Sequence, residues 1–314
     1  MEQEIKPVVM VGAGPSALTA AIYTTREDID TTLYEKGVVG GLAAITDKVD
    51  NYPGFPDGVE GMALADRLQR QAERFGAKIE YGNVSAIRHE DGVNILMVDG
   101  NEVRAKAVLI ATGSDYNKLN IPGEAEYYGR GVHYCATCDG AFYRDKRLVV
   151  VGGGNSGVQE AIFLTRFASH IDLLVRSTVK ASQVLQDDLK KYIDDGKVTI
   201  HLETVPTEIV ADNTGKVTAV KATKAGEATE FMVDGVFIFI GLKPNTQFLE
   251  GSGVELDERR LIKTDNHLAT SLPGVFASGD VRSGATMQVA SAVGEGATAA
   301  LSIREYLESQ ALSK

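Results

Sequence analysis

Twice in this chain a short apolar run ends in a cluster of glycines and passes into a helix-forming stretch. PVVMV (Pro7 to Val11) leads into Gly12-Ala13-Gly14-Pro15-Ser16-Ala17 and then ALTAAIYTT; LVVV (Leu148 to Val151) leads into Gly152-Gly153-Gly154-Asn155-Ser156-Gly157 and then GVQEAIFLTRF. A second strand-forming run follows each helix, TTLY (Thr31 to Tyr34) in the first copy and IDLLV (Ile171 to Val175) in the second. Strand, glycine turn, helix and strand is the unit that holds a dinucleotide. The first glycine permits a tight turn, the second lets backbone N–H groups approach a pyrophosphate, and the third position must be small so that helix and strand pack closely. Ala17 meets the last requirement in the first copy. A lone motif of this kind is weak evidence. Two copies, each bracketed by a strand and a helix, predict an α/β chain with two Rossmann-like dinucleotide-binding domains.

The copies differ where the second strand ends, and the difference separates their ligands. In the first, Glu35 can accept hydrogen bonds from a ribose 2′-hydroxyl and would repel a 2′-phosphate, which suits FAD or NAD. In the second, the same offset holds Val175, followed by Arg176 and then Lys180, cations that favour a 2′-phosphate and hence NADPH. The alternative for Glu35, Arg176 and Lys180 is that they are solvated residues at strand ends. Two further apolar runs, VLIATG (Val108 to Gly113) and VFIFIG (Val236 to Gly241), read as buried parallel strands that stop at a glycine beneath a cofactor. Each follows a stretch of alternating character, with Asp-Gly or Thr-Gly-Lys turns, that reads as an inserted β-meander. Late in the chain, GVFASGDVRS (Gly274 to Ser283) supplies a strand ending at Gly279 and Asp280, and MQVASAVGEGATAALSIREYL supplies a closing helix.

At 314 residues and 44% apolar, the chain can build a core for each unit. Its formal net charge of −11 repels phosphate backbones and anionic bilayers, so neither a nucleic acid nor a membrane is an expected partner. No apolar run approaches the roughly 18 residues of a membrane span. The start, MEQEIK, lacks the cationic-then-apolar order of a signal peptide. The expected location is therefore cytoplasmic, where thiols are kept reduced. Both cysteines of the chain, Cys135 and Cys138, stand in HYCATCDG at C-x-x-C spacing. That spacing fits half of a metal site, a structural staple or a redox dithiol. His133 extends the string to H-x-C-x-x-C, but no second Cys/His cluster completes a zinc site, and no metal is expected. So short a loop constrains little of an unfolded chain, which disfavours the staple. His133 itself reads as a surface or packing residue, and His89, His170, His201 and His267 are scattered without a special role.

GAGPSALTAA, VDNYPG (Val49 to Gly54), ATG, CATCDGAFYR, GGGNSG, GLKPN and GVFASGDVR occur in the order seen in low-molecular-weight thioredoxin reductases, and this resemblance covers essentially the whole chain. It implies three-layer ββα domains of the glutathione-reductase/thioredoxin-reductase type. An FAD-binding domain would come from both ends of the chain (1–117 and 247–314), and an NAD(P)H-binding domain carrying the dithiol (118–246) would lie between them. The resemblance also implies a homodimer, hinges at Lys118 to Pro122 and Lys243 to Gln247, and thioredoxin or a thioredoxin-like protein as the acceptor. Carried onto this sequence, FAD contacts fall on Gly12, Gly14, Pro15, Ser16, Ala17, Glu35, Lys36, Gly40, Gly41, Leu42, Asn51, Val84, Ala111, Thr112, Gly113, Gly279, Asp280, Met287, Gln288 and Val289. Those to NAD(P)H fall on Gly152, Gly154, Asn155, Ser156, Gly157, Arg176, Lys180 and Gly241. Cys138 would lie against the flavin, Cys135 would exchange with thioredoxin, and Asp139 would supply protons; the plainer reading of Asp139 is an Asp-Gly turn. The related glutathione-reductase type is a longer chain with a C-terminal dimerisation domain and cysteines in its first unit, features absent here.

Three departures from the pattern bear on the donor and the flavin. In place of the usual H-R-R-x-x-x-R the chain has VRSTVKAS, keeping one cation at Arg176 and offering another at Lys180, so NADH or a donor such as ferredoxin stays open beside NADPH. The usual Gly-Gln-Leu is Gly40-Gly41-Leu42, and the usual Arg-Gln is Met287-Gln288, which reduces side-chain contacts to the flavin. A dithiol oxidase or a ferredoxin-fed reductase needs no nicotinamide site, and the intact Gly152 to Gly157 turn counts against both. A flavin-containing redox sensor is disfavoured by two nucleotide turns and a dithiol in one chain.

Overall fold

The structure is a computed structural model and describes residues 4–46, 48–49 and 51–312; Asp50 of the VDNYPG segment lies outside them. The chain forms two compact units, one from Met1–Asp115 and Lys243–Lys314 and the other from Tyr116–Leu242. Unit 1 begins with β1 (Ile5–Val11), α1 (Pro15–Arg26), β2 (Thr31–Glu35), α2 (Gly61–Arg74), β3 (Lys78–Tyr81), β4 (Val84–Glu90), β5 (Val93–Val98) and β6 (Asn101–Ile110). Unit 2 follows with β7 (Val132–His133), β8 (Arg147–Val151), α3 (Asn155–Leu164), β9 (His170–Leu174), α4 (Gln183–Asp194) and β10 (Val198–His201). It continues with β11 (Thr204–Ala211), β12 (Val217–Lys224), β13 (Glu227–Met232) and β14 (Gly235–Ile238). The chain then returns to unit 1 for β15 (Val275–Ala277) and α5 (Val289–Leu312).

In unit 1 the strands lie in the order β3-β2-β1-β6-β5-β4, with β15 also on β6. The contacts among β3, β2, β1, β6 and β15 are parallel, and β4-β5-β6 is an antiparallel meander. β6 serves both on one edge: Asn101 to Ala105 pair with β5, and Val108 to Ile110 pair with β15. Alternate residues of β1 divide the layers. Val8 and Met10 enter the core shared with Leu18 of α1, Leu64 of α2 and Ile303 of α5, while Val9 and Val11 enter the core shared with Ile87 and Leu96 of the meander. Both faces are covered, which is why this strand reads as a continuous apolar run. The meander turns Asp91-Gly92 (φ 50° and 75°) and Asp99-Gly100 (φ 47° and 82°) have positive φ at both residues, the hairpin geometry that matches strand twist.

Unit 2 repeats the plan with a five-stranded parallel sheet, β7-β14-β8-β9-β10, and a separate antiparallel sheet β11-β12-β13. Leu148, Val150 and Leu173 pack with Val158 of α3 and Leu189 of α4; Val149, Val151 and Leu174 pack with Ile209, Val217 and Val220 of the antiparallel sheet. Each unit thus has the three-layer ββα form. Strand β9, one in from the edge of the parallel sheet, holds a buried carboxylate: Asp172 accepts from Arg147 Nη2 (3.1 Å) and pairs with His201 Nε2 (2.9 Å), with His170 Nε2 at 3.5 Å. Two histidines that the sequence left without a role therefore tie β9 to β10, and Arg147 ties β8 to β9. Among the described residues no helix is long and apolar enough to cross a membrane.

Candidate functional site

At the end of β1 the chain turns at Gly12 with φ +98°, and a Cβ there would stand 2.6 Å from the Ala111 carbonyl oxygen, so only glycine fits. The Gly12 N–H donates to the Tyr34 carbonyl at 2.8 Å. Gly14 is the N-cap of α1 with Pro15 behind it, and the first turn has neither an acidic residue nor a side-chain cap. Space is open for 4 Å around the place where a Gly14 Cβ would be. Free helix N–H groups on an uncrowded backbone form an anion site, as a pyrophosphate requires. Ala17 is fully buried beneath the turn. Glu35 accepts the Ala13 N–H on Oε2 (2.7 Å) and the Gly37 N–H on Oε1 (2.8 Å), so it is a tethered group rather than a solvated strand end.

A cleft of about 300 Å³ opens there, lined by Gly12, Glu35, Lys36, Val84 and Thr112 among the expected residues, and by Asn83, Ser85, Asn245 and Phe248 besides. The segment Gly82 to Ser85 carries no motif. It arrives because β3 pairs with β2 in the register Glu35↔Tyr81 and Gly82 N–H donates to the Glu35 carbonyl. Asn245, from the GLKPN stretch, is locked to the strand end by Thr112 Oγ1 donating to its carbonyl (2.8 Å) and its own Nδ2 donating to the Thr112 carbonyl (3.0 Å). Ala111 precedes this lock and Gly113, at φ +64°, follows it.

Of the other expected FAD residues, Gly40, Gly41 and Gly279 lie against the turn that opens α1. Gly40 N–H donates to the Ala13 carbonyl at 2.8 Å, and Gly41 and Leu42 begin a single helical turn, Gly41–Ala44. Ser16 Oγ lies 2.6 Å from Ser278 Oγ, and Gly279 N–H donates to Glu295 Oε2 at 2.8 Å. Burial, with Glu295 adding to it, pushes the Asp280 carboxyl up to about 6. Asn51 Nδ2 donates to Gln288 Oε1 at 3.0 Å. Met287 has φ +56°, so the stretch beginning at Met287 is not yet helical and α5 starts at Val289.

The second turn follows the same rules with one substitution. Gly152 has φ +141°, its N–H donates to the Leu174 carbonyl at 3.0 Å, and a Cβ there would stand 3.0 Å from the Phe239 carbonyl carbon. Gly154, the N-cap of α3, faces open space, and Gly154, Asn155 and Ser156 are exposed. Asn155 Oδ1 accepts the Ser182 N–H (2.8 Å) and the Gly153 carbonyl accepts the Lys180 N–H (2.7 Å), which ties the cation-bearing segment to the glycine turn. Where unit 1 tethers a carboxylate, the Val175 side chain packs on Gly153, its Cγ1 standing 2.5 Å from where a Cβ would be. Arg176 and Lys180 are both exposed. Gly241, at φ +103°, accepts the Asn117 N–H at 3.0 Å.

Between β7 and β8 the two cysteines form a disulfide, with Cα atoms 5.3 Å apart. Cys135 is the N-cap of a single helical turn, Ala136–Asp139, and the Cys138 N–H donates to Cys135 Sγ at 3.2 Å. Both cysteines are partly exposed. The Asp139 N–H returns to the Cys135 carbonyl, and its carboxylate Oδ2 lies 3.2 Å from Nδ1 of His133. His133 is buried, which overturns the surface reading and agrees with the packing one, and its other nitrogen pairs with Tyr143. Its position six residues from Asp139 matched no helix or strand period, and no sequence signal marked the pair.

Two nucleotide turns in one chain, with a redox disulfide ahead of the second, define the class of FAD-dependent NAD(P)H:disulfide oxidoreductases. The chain belongs to the pyridine nucleotide-disulphide oxidoreductase family, whose model matches residues 6–296. Its relatives within that family include thioredoxin reductases. That of Bacillus subtilis (strain 168) is 40% identical over 98% of this chain and 96% of its own length, and that of Listeria innocua is 41% identical over 98% and 95%. The crystal structure of thioredoxin reductase from Streptococcus pyogenes MGAS5005 superposes with a TM-score of 0.91 at 38% identity, covering 97% of this chain and 99% of that one.

Proposed function

We propose that the protein is a thioredoxin-disulfide reductase that passes electrons from NADPH through FAD and the Cys135–Cys138 disulfide to an oxidised thioredoxin or thioredoxin-like protein. The observation that carries this reading is the disulfide at the N-cap of a short turn, in the unit that also holds the second nucleotide turn. Unit 1 would hold FAD, with its pyrophosphate at Gly14 to Ala17, its adenosine ribose on Glu35, and Gly279, Asp280, Met287, Gln288 and Val289 on the far side of the turn. Unit 2 would hold the nicotinamide nucleotide at Gly152 to Gly157. Val175 offers no acceptor to a ribose 2′-hydroxyl, while Arg176 and Lys180 are free to meet a 2′-phosphate, which favours NADPH over NADH. A homodimer in the cytoplasm is the corresponding assembly and location.

FAD supplies the conversion between a two-electron hydride and a dithiol. The chain's own residues do the rest. Cys135 is the attacking thiolate; Cys138 resolves the mixed disulfide; and Asp139, directly after Cys138, is the acid. The test is anaerobic mixing of the FAD-loaded protein with NADPH and, separately, NADH, following flavin bleaching before oxidised thioredoxin is added. NADPH is expected to bleach the flavin, and thioredoxin to restore its colour. Cys135→Ser and Cys138→Ser should keep the bleaching and lose thioredoxin turnover; turnover retained in either variant refutes the relay.

A further inference from the structure

The dithiol turn is backed by a buried histidine. His133, on β7, is 5% exposed; its ring stacks on Phe237 of β14 at 5.1 Å and meets Tyr143 edge-on at 5.3 Å. Nδ1 lies 3.2 Å from Asp139 Oδ2, and Nε2 lies 2.7 Å from the Tyr143 hydroxyl. The titratable groups facing this imidazole are therefore Asp139 and Tyr143 from the dithiol segment, while β14 contributes the apolar ring of Phe237. Asp234, just before β14, acts on Tyr143 and is itself met by Lys146 (3.9 Å), Lys216 (3.6 Å) and the Arg147 N–H (3.2 Å). Burial, together with Asp139 and Asp234, pushes the Tyr143 hydroxyl well above its usual range, so it keeps its proton. Where the Tyr143 hydroxyl donates to Nε2, the ring N–H stands at Nδ1, on the side of Asp139 Oδ2.

We infer that His133 is a positioning residue for the dithiol exchange: its Nδ1, 3.2 Å from Asp139 Oδ2, keeps that oxygen turned to the imidazole and leaves Oδ1 to carry the transferable proton. The inference rests on the reading of Asp139 as the acid. In the exchange the Cys135 thiolate attacks one sulfur of the thioredoxin disulfide. That S–S bond breaks, a mixed disulfide forms, and the departing thiolate takes the proton from Asp139 Oδ1. The Cys138 sulfur then attacks Cys135 Sγ. The mixed disulfide breaks, the Cys135–Cys138 disulfide reforms, and the Cys138 thiol proton goes to the second departing thioredoxin sulfur. Two electrons and two protons have moved to thioredoxin, and Asp139 is left ionised, the state that an N–H donor stabilises.

The test compares His133→Phe, which keeps the stacked ring and loses the hydrogen bond to Tyr143 and the Nδ1 contact with Asp139, with His133→Asn, which keeps an N–H near Nδ1. In the FAD-loaded protein, bleaching of the flavin by NADPH should be unchanged in both. Thioredoxin turnover in His133→Phe should fall about tenfold, against roughly 100-fold or more for loss of the acid itself in Asp139→Asn. The alkaline limb of its pH profile should move to higher pH, because the ionised carboxylate has lost a donor. His133→Asn should restore most of the rate and the position of the limb. Tyr143→Phe removes only the O–H on Nε2 and should move the same limb less far; it decides the matter should His133→Phe fail to fold. A limb that stays in place in His133→Phe and Tyr143→Phe, or an Asn variant no better than Phe, overturns the inference. Wild-type turnover in Asp139→Asn would instead remove the acid reading on which it stands.

Discussion

Gly157→Ala probes the second nucleotide turn with a single added methyl group. Gly157 lies in the first turn of α3, and its Cβ would stand 2.6 Å from the carbonyl carbon of Gly152 and 3.0 Å from its Cα, closer still to the oxygen. These are backbone atoms, and ordinary contact begins near 3.4 Å, so the start of α3 must retreat by about 1 Å. Overpacking of this kind costs about 1–3 kcal/mol. The displaced backbone is the one whose N–H groups would meet the NADPH pyrophosphate, and a misfit of similar energy corresponds to a roughly 10- to 100-fold weaker interaction. Unit 1 has Ala17 at the matching position, already accommodated, so its cofactor should be untouched. The variant is expected to purify with a full complement of FAD, to melt several degrees lower, and to need about 10- to 100-fold more NADPH for half-maximal flavin bleaching. Thermal melting, the flavin absorbance per chain and an anaerobic NADPH titration check the three parts. A wild-type NADPH requirement, or an equal loss of FAD, would refute the assignment of this turn to the nicotinamide nucleotide.

Two further outcomes follow from unit 1. Glu35→Ala leaves the Ala13 and Gly37 N–H groups without their acceptor and removes the ribose partner, at a cost of about 1–3 kcal/mol; the protein should purify with substoichiometric FAD yet still bind NADPH, and a normal flavin content would take Glu35 out of the site. Asp280, raised to about 6, titrates above its unfolded value, so its contribution to stability is fully present below about pH 4 and is lost as the pH rises through 6. In FAD-stripped protein, Asp280→Asn should therefore raise stability by up to about 3 kcal/mol at pH 8 and give no gain at pH 4. Denaturant melts at the two pH values check this, and a gain at pH 4 or none at pH 8 contradicts the burial argument.

Much of the architecture was legible because it is written locally. Gly12 and Gly152 stand at positive φ against the carbonyls of the returning strands, a geometry that leaves a glycine signature in the sequence. The strand runs PVVMV and LVVV are apolar throughout because layers cover both faces. The hairpin turns Asp91-Gly92 and Asp99-Gly100 carry their own chemistry. Less was legible where a residue's role comes from a partner on another strand. Gly82, Asn83 and Ser85 join the expected Val84 at the cleft because β3 pairs with β2 in one register, and a register leaves no local mark. Glu124 is a similar case: buried, it accepts the N–H groups of Leu119 and Asn120 and the Tyr134 hydroxyl, which ties part of the expected hinge at Lys118 to Pro122 to unit 2.

The sequence by itself determined two nucleotide turns, the contrast between Glu35 and Val175 at their ends, and a C-x-x-C pair between them, since each depends on residues a few positions apart. Only the tertiary structure decided that Asp139 faces a buried imidazole, that Asp172 gathers two histidines, and that Glu35 is held by amides on both sides. Those pairings join different strands and turns, and their distances are set by how the layers stack.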